Sequence, residues 1–108
     1  MNFVNTIDKN VMKVIKDAVV TVPGVISFAN FNATTNDDLS TLEIDNAVEF
    51  INTDNLTRFR IHVILISGVN IKDVINEIQI RVKYELEKTA KFTIKYMVDV
   101  AVDDLIVI

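Results

Sequence analysis

The first quarter of the chain spaces its apolar residues three or four positions apart, as one buried face of a helix does. Within residues 8–20 and just beyond them, these positions are Val11, Val14, Ile15, Ala18, Val19 and Val22. Pro23 and Gly24 then interrupt the spacing. Proline lacks an amide donor, and glycine accepts the positive φ of a tight turn. The pattern predicts a helix over residues 8–20, a turn, and a strand that begins at Val25.

The middle of the chain reads as strands separated by polar turns. The strand segments are residues 25–31, 44–50 and 58–66, and turn-forming residues fill 32–40 and 52–55. The residues predicted to face the core are Ile44, Val48 and Phe50 in the second segment and Phe59, Ile61, Val63 and Leu65 in the third. The 32–40 segment is predicted to be a mobile loop.

The final third changes from helical spacing to alternation. Asn70 is a suitable N-cap, and Asp73 lies in the first turn, where a negative charge complements the helix dipole. The predicted helix covers residues 70–89, and its buried stripe is Ile71, Val74, Ile75, Ile78, Val82 and Leu86. A strand over residues 92–102 follows, with an inner face of Phe92, Ile94, Tyr96, Val98, Val100 and Val102.

Together these elements give the order α-β-β-β-α-β in a single domain over residues 1–108. The order predicts an α+β, two-layer sandwich: a four-stranded sheet, mixed or mostly antiparallel, with both helices on one face. A helix precedes the last strand, so that strand can pair in parallel with a neighbour. The apolar residues 105–108 are expected either to pair inside the sheet or to press against a partner.

Composition narrows the classes of function. The chain has a net charge of -4 and a sequence pI near 4.8, which disfavour nucleic-acid binding and contact with anionic lipids. No apolar run approaches the roughly 20 residues that cross a bilayer, and no signal-peptide pattern opens the chain. We therefore expect a cytoplasmic protein without direct membrane insertion. It has no cysteine and one histidine, so no cofactor or metal site is predicted.

Three basic residues form the one cluster that resembles a binding site. Arg58, Arg60 and His62 alternate along the third strand and are predicted to face away from the core. Ion pairs with Asp45 and Glu49 on the neighbouring strand are the favoured interpretation. A weak anion-binding patch is the alternative.

The other polar residues match no metal, phosphate-binding or catalytic motif. The acid pairs Asp37-Asp38 and Asp103-Asp104 lack the spacing of metal ligands and are interpreted as surface charge. Ser67 and Gly68 precede a helix but lack the rest of a phosphate-binding loop. With one histidine on a strand, no serine has an identifiable base.

Three residues of the second helix lie off its buried stripe. Gln79 is expected to bond a strand edge or to mark a partner face. Ile80 and Tyr84 form a weaker apolar strip, which either is partly buried within the domain or contacts another subunit.

Several short segments, in this order and spacing, resemble the alkaline shock protein family of bacterial envelope-stress proteins. They are Pro23, Gly24 and Val25 in the first turn, the run 61–66, Asn70 before the second helix, Gln79 and Val82 within it, and Val98 and Val100 in the last strand. The resemblance covers residues 7–104. It implies a non-enzymatic protein of cell-envelope homeostasis that self-associates and is held at the membrane by an anchored partner.

The resemblance also implies that some relatives are tied to a fatty-acid kinase. The polar 32–40 loop and the lack of a long charged C-terminal tail point to a short, constitutive branch. The leading hypothesis is an assembly or adaptor protein, a homo-oligomer whose candidate interaction residues are Ile80, Tyr84, Ile106 and Ile108. The second hypothesis is a regulator that binds an acyl chain between helix and sheet. RNA binding of the KH type is disfavoured by charge and by a missing Gly-x-x-Gly loop.

Overall fold

The computed structural model describes residues 9–53, 56–91 and 95–107. These residues form two helices and five strands, with short 3-10 turns at Asn36–Asp38 and Ile44–Asn46. The elements are α1 (Lys9–Val19), β1 (Val25–Ala29), β2 (Ser40–Thr41), β3 (Val48–Thr53), β4 (Leu56–Ile66), α2 (Ile71–Thr89) and β5 (Tyr96–Ile106).

Strand β4 is the centre of the sheet. One of its edges pairs antiparallel with β3 over its first half and with β1 over its second half. The amides of His62 and Ile66 point to that edge and donate to the carbonyls of Ala47 and Gly24. The other edge pairs in parallel with β5, as expected for a strand that follows a helical connection. Within the described residues β5 has no second strand neighbour, so it forms an edge of the sheet.

Both helices cover one face of this sheet. The buried residues of the helices are Met12, Ile15, Ala18 and Val19 in α1 and Val74, Ile78, Val82 and Leu86 in α2. They pack with Phe59, Ile61, Val63 and Leu65 of β4 in one hydrophobic core. The predicted α+β class, the helix layer and most of the two buried stripes are confirmed. Ile71 is exposed because it begins α2, and Val11, Val14 and Ile75 are only half-buried.

The turn between α1 and β1 and the N-terminal cap of α2 also match the sequence-based predictions. Gly24 has a φ of +98°, which fits its place in the turn after α1. The side chain of Asn70 accepts a hydrogen bond of 3.1 Å from the amide of Asp73 and so caps α2. The predicted turn and cap are confirmed.

Two segments differ from the sequence-based predictions. Residues 44–46 form a 3-10 turn, in which the amide of Ala47 donates to the carbonyl of Ile44, and the strand begins only at Val48. Within the segment predicted as a loop, residues 36–38 form a 3-10 turn and Ser40–Thr41 pairs with β1. The sheet therefore has five strands where four were predicted. The predicted core residues Phe92 and Ile94 lie outside the described residues.

Candidate functional site

A charged cluster lies on the face of the sheet that the helices leave free. His62 is at its centre: its Nε2 is 2.6 Å from Glu49 Oε2 on β3, and its Nδ1 is 2.8 Å from Asp103 Oδ2 on β5. The ring of Phe31 lies 5.5 Å from the imidazole, centroid to centroid. His62 is only 9% exposed, so the predicted surface histidine is a buried bridge between three strands.

The two arginines of the cluster face β5. Asp99 Oδ2 lies 3.6 Å from Arg58 Nε and 3.9 Å from Arg60 Nη2. Asp45, which was predicted to lie across from them, is in the 3-10 turn. Each basic group of the proposed anion patch already has a carboxylate neighbour, and an anion would have to compete with that carboxylate.

An open apolar groove lies between α1 and α2 on the helix side. It has a volume of about 400 Å³ and is lined by Val14, Asp17, Ala18, Thr21, Ile80, Arg81, Tyr84 and Glu85. Ile80 is 64% exposed and Tyr84 is 54% exposed. These two residues are four positions apart and therefore share one side of α2. The structure thus places both off-stripe residues at an open groove.

Charges of both signs surround this groove. Lys13 Nζ contacts Asp17 Oδ2 at 2.8 Å, and Arg81 Nε contacts Glu77 Oε2 at 2.6 Å. The hydrogen bond from Lys13 to Asp17 raises the pKa of the lysine. Lys88 lies over the ring of Tyr84, 5.9 Å from its centroid. The groove combines an apolar floor with a polar rim, as protein interfaces do.

Side chains of α2 bond the backbone of β5 at the start of its outer edge. Gln79 Nε2 and Lys83 Nζ each donate at 3.0 Å, to the carbonyls of Val98 and Tyr96. Glu87 Oε2 accepts from the amide of Tyr96 at 3.3 Å and from Lys83 Nζ at 2.7 Å. The Lys83 bond is the main cause that lowers the pKa of Glu87, and burial raises the pKa of the Tyr96 phenol. The strand-edge interpretation of Gln79 agrees with this geometry.

The apolar end of β5 remains partly exposed. The carbonyl of Ile106 accepts from the amide of Ser67 at 2.8 Å, so the backbone pairs within the sheet up to that residue. The Ile106 side chain is nevertheless 37% exposed, and Leu105 and Val107 are exposed as well. Ile108, the fourth candidate interaction residue, lies outside the described residues.

The family-motif residues have packing roles. A Cβ added at Gly24 would lie 3.2 Å from Val69 and 3.3 Å from Val74, so the turn after α1 packs against the start of α2. Val82 is fully buried, and Val98 is buried in the same core. Gln79 bonds the carbonyl of Val98, which joins two motif segments directly.

Sequence reasoning missed three features. The first is that Lys83 and Glu87 bond the backbone of β5. Both residues continue the spacing of four that begins at Gln79, and this periodicity could have placed them on the same side of α2. The second is the contact of Phe31 with the His62 ring. The local sequence around Phe31 indicates only a strand and gives no sign of this contact. A smaller groove of about 200 Å³ carries the exposed Val20, Ile26 and Leu42, which come from three separate segments.

Comparisons with known proteins give one match. A family model for the alkaline shock protein 23 family, described as having a cell envelope-related function, matches residues 2–107. No curated protein and no solved structure matches the chain. In the part of the chain that the structure describes, no helix is both long enough and apolar enough to span a membrane.

Proposed function

The chain belongs to the alkaline shock protein 23 family, whose function is related to the cell envelope, and on this premise we propose that it is a non-enzymatic assembly and adaptor protein. In this role it self-associates and docks a membrane-associated partner on the cytoplasmic side of the envelope. Its contribution to envelope homeostasis and the stress response is to hold that partner in place. The fatty-acid kinase suggested by the family resemblance is the alternative partner.

The exposed groove between α1 and α2 is the observation that carries this proposal. Ile80 and Tyr84 expose more than half of their surface there, at an apolar concavity of about 400 Å³. Contiguous apolar surface of this kind, rimmed by polar residues, is typical of protein–protein contacts.

A second copy of the chain is the occupant that fits the groove best. In a twofold dimer the same surface contacts itself, so a self-complementary patch needs both signs of charge on its rim. The rim provides Arg81 together with Asp17 and Glu85, and Lys13 adds a second positive charge through its ion pair with Asp17. Two such helix faces can pack their apolar residues in the centre while opposite charges meet outside.

Sedimentation velocity on a matched pair of variants tests this surface. Ile80→Asp places a charge in the groove and should abolish self-association, because an unpaired carboxylate is costly to bury. Leu42→Asp makes the same change at a side chain that is 87% exposed and distant in the sequence, and it should leave self-association intact. Equal association of both variants, or loss only in Leu42→Asp, would exclude the groove as the self-association surface.

The apolar end of β5 is a second candidate contact in the same assembly. Ile106→Asp should weaken self-association if the residues after Asp104 contribute to it. The variant is informative because the Ile106 side chain is partly exposed while its carbonyl stays bonded to Ser67. Circular dichroism and thermal unfolding establish first that the variant is folded.

The volume and lining of the groove also support the acyl-binding alternative. Pockets for small ligands typically start at roughly 300 Å³ and are mostly apolar. In this groove a bound acyl chain would lie between the two helices rather than between helix and sheet, and its carboxylate would compete with Glu77 and Thr21 for Arg81 at the rim. In this alternative, fatty acids raise the melting temperature of the wild-type chain by mass action, and Ile80→Asp removes that effect without any change in molar mass.

A further inference from the structure

We propose that the outer edge of β5, from Val100 to Asp104, docks an extended segment of a partner protein in which basic and apolar residues alternate. The docked segment adds a strand to the sheet beside β5. This inference rests on the proposed adaptor role, because it supplies the surface on which the adaptor holds its partner. It uses a different part of the molecule from the groove between the helices.

The hydrogen bonding of the outer edge changes along β5. At its start, Gln79, Lys83 and Glu87 bond the outward backbone groups of Tyr96 and Val98 and so block strand addition. The backbone of Val100 points the same way as that of Val98, because strand residues alternate in direction. Within the described residues, no side chain of α2 bonds the edge from Val100 onward. Among the described residues, the start of this edge is therefore protected and the backbone of Val100 and Val102 is left open, whereas the amide of Leu105 already donates to Asp104 Oδ1 at 2.8 Å.

The two faces of the open half differ in chemistry. Val98, Val100 and Val102 lie on the helix side and pack with the core. Asp99 and Asp104 pair with Arg60 and Ile64 of β4, on the opposite face. A register shift in this ladder adds Asp103 to that same face, where it bonds His62. Three carboxylates thus line one side of the edge, and valines line the other.

A docked strand would meet these two faces with alternate side chains. Residues on the helix side would extend the apolar surface of the valines, and residues on the opposite side would lie next to Asp99, Asp103 and Asp104. Opposite charges across neighbouring strands are favourable, by about 0.2–1 kcal/mol for each pair. Asp99 already pairs with the arginines of β4, and Asp103 bonds His62. Asp104 is therefore the most available of the three: it is exposed, forms no ion pair within the described residues, and accepts only the amide of Leu105 through Oδ1. The net charge of -4 also favours a basic partner.

The same charges argue against a second copy of β5 as the occupant. Antiparallel pairing of two β5 strands through their open halves would bring Asp103 and Asp104 of one chain beside those of the other. Parallel pairing in register would also align identical carboxylates. Like charges directly opposite each other destabilise a strand pair. A different protein with basic residues is therefore the occupant that the chemistry favours.

Peptide binding to the full chain tests this proposal. The probe is a short fluorescein-labelled peptide of alternating lysine and valine, and the control peptide replaces each lysine with glutamate. Fluorescence anisotropy should detect the lysine peptide at millimolar concentration or below, with weaker binding as salt increases. The glutamate peptide should not bind.

Matched variants locate the contact. Asp104→Asn should weaken binding of the lysine peptide by up to about fivefold, which corresponds to one favourable cross-strand charge pair. Asp37→Asn removes the same charge in the 3-10 turn at residues 36–38 and should leave binding unchanged. In amide hydrogen exchange, the bound peptide should protect Val100 and its neighbours on β5.

Three results would overturn the proposal: no binding up to millimolar peptide, equal binding of both peptides, or protection confined to α1 and α2. Sedimentation of the same samples separates this failure from a failure of the proposed function. Self-association that persists without peptide binding would reject only the β5 contact. Peptide binding by a chain that never self-associates would reject only the assembly.

Discussion

At the scale of single residues, two glycines with nearly equal backbone angles have different surroundings. Gly24 has a φ of +98° and Gly68 a φ of +96°. A Cβ at Gly24 would press on Val69 and Val74, whereas a Cβ at Gly68 would meet nothing within 4 Å. Gly68→Ala should therefore cost only backbone strain, about 1 kcal/mol.

Gly24→Ala should cost more, about 2–3 kcal/mol, because strain and crowding of the α2 start add together. Urea denaturation of both variants measures the two losses in free energy of unfolding. Equal losses would show that the turn does not pack tightly against Val69 and Val74.

His62 provides the second prediction at this scale. His62→Leu leaves Glu49 and Asp103 without their shared partner and should lower the free energy of unfolding by about 1–3 kcal/mol. Arg60→Leu is the control, because Arg60 is exposed and its closest carboxylate is 3.9 Å away, and it should change stability by less than about 0.5 kcal/mol. A loss for His62→Leu no larger than that of the control would contradict a structural role for the bridge.

The same residue shows what the sequence could and could not provide. Alternation placed His62 on the face away from the helices and suggested Glu49 as a neighbour, and both features are present in the structure. The sequence did not indicate Asp103 as a partner of His62. The position of Asp103 depends on the parallel pairing of β4 with β5 and on the register shift in that pairing. Such pairing across 41 residues leaves no local pattern.

At the scale of elements, α2 and β5 are joined by side chains as well as by core packing. The pKa of Glu87 is lowered from its ordinary value of 4.5 by Lys83 and by the amide of Tyr96. A carboxylate with a lowered pKa stabilises the fold above that ordinary value, and the contribution disappears as the pH falls through the lowered pKa. Glu87→Gln should therefore be less stable than the wild type at neutral pH, and the difference should shrink in acid.

Urea midpoints measured from neutral pH to about pH 3 check this prediction. Glu43→Gln is the control, since Glu43 is exposed and makes no ion pair among the described residues. If the urea midpoints of Glu87→Gln and the wild type differ by the same amount at every pH, the ionised carboxylate does not hold α2 to β5.

Elements with strong periodicity were predictable, and elements determined by distant contacts were not. The spacing of Val74, Ile78 and Val82 defines α2, and its cap at Asn70 is a local signal. Residues 44–46 alternate like a strand, but local hydrogen bonds from Asn46 and Ala47 close a 3-10 turn there. β2 has only two residues, and it exists because Thr41 lies opposite Phe28 of β1. No periodicity can show so short a strand.

At the scale of the whole molecule, the two proposed surfaces belong to different elements. The groove lies between α1 and α2. The open edge lies on β5 beyond the residues that α2 bonds. An adaptor needs two such surfaces, because one must remain free while the other is occupied. The sequence placed Ile80 and Tyr84 off the buried stripe of α2 and gave Ile106 as a candidate interaction residue, but their exposure and their arrangement in space required the fold.

The central claim, that the chain assembles with itself, is tested most directly by the molar mass of the wild-type protein in solution. Light scattering coupled to size exclusion, across a concentration series, should give a mass that rises from 12.2 kDa to at least twice that value. A mass that stays at 12.2 kDa at every concentration would contradict the assembly role.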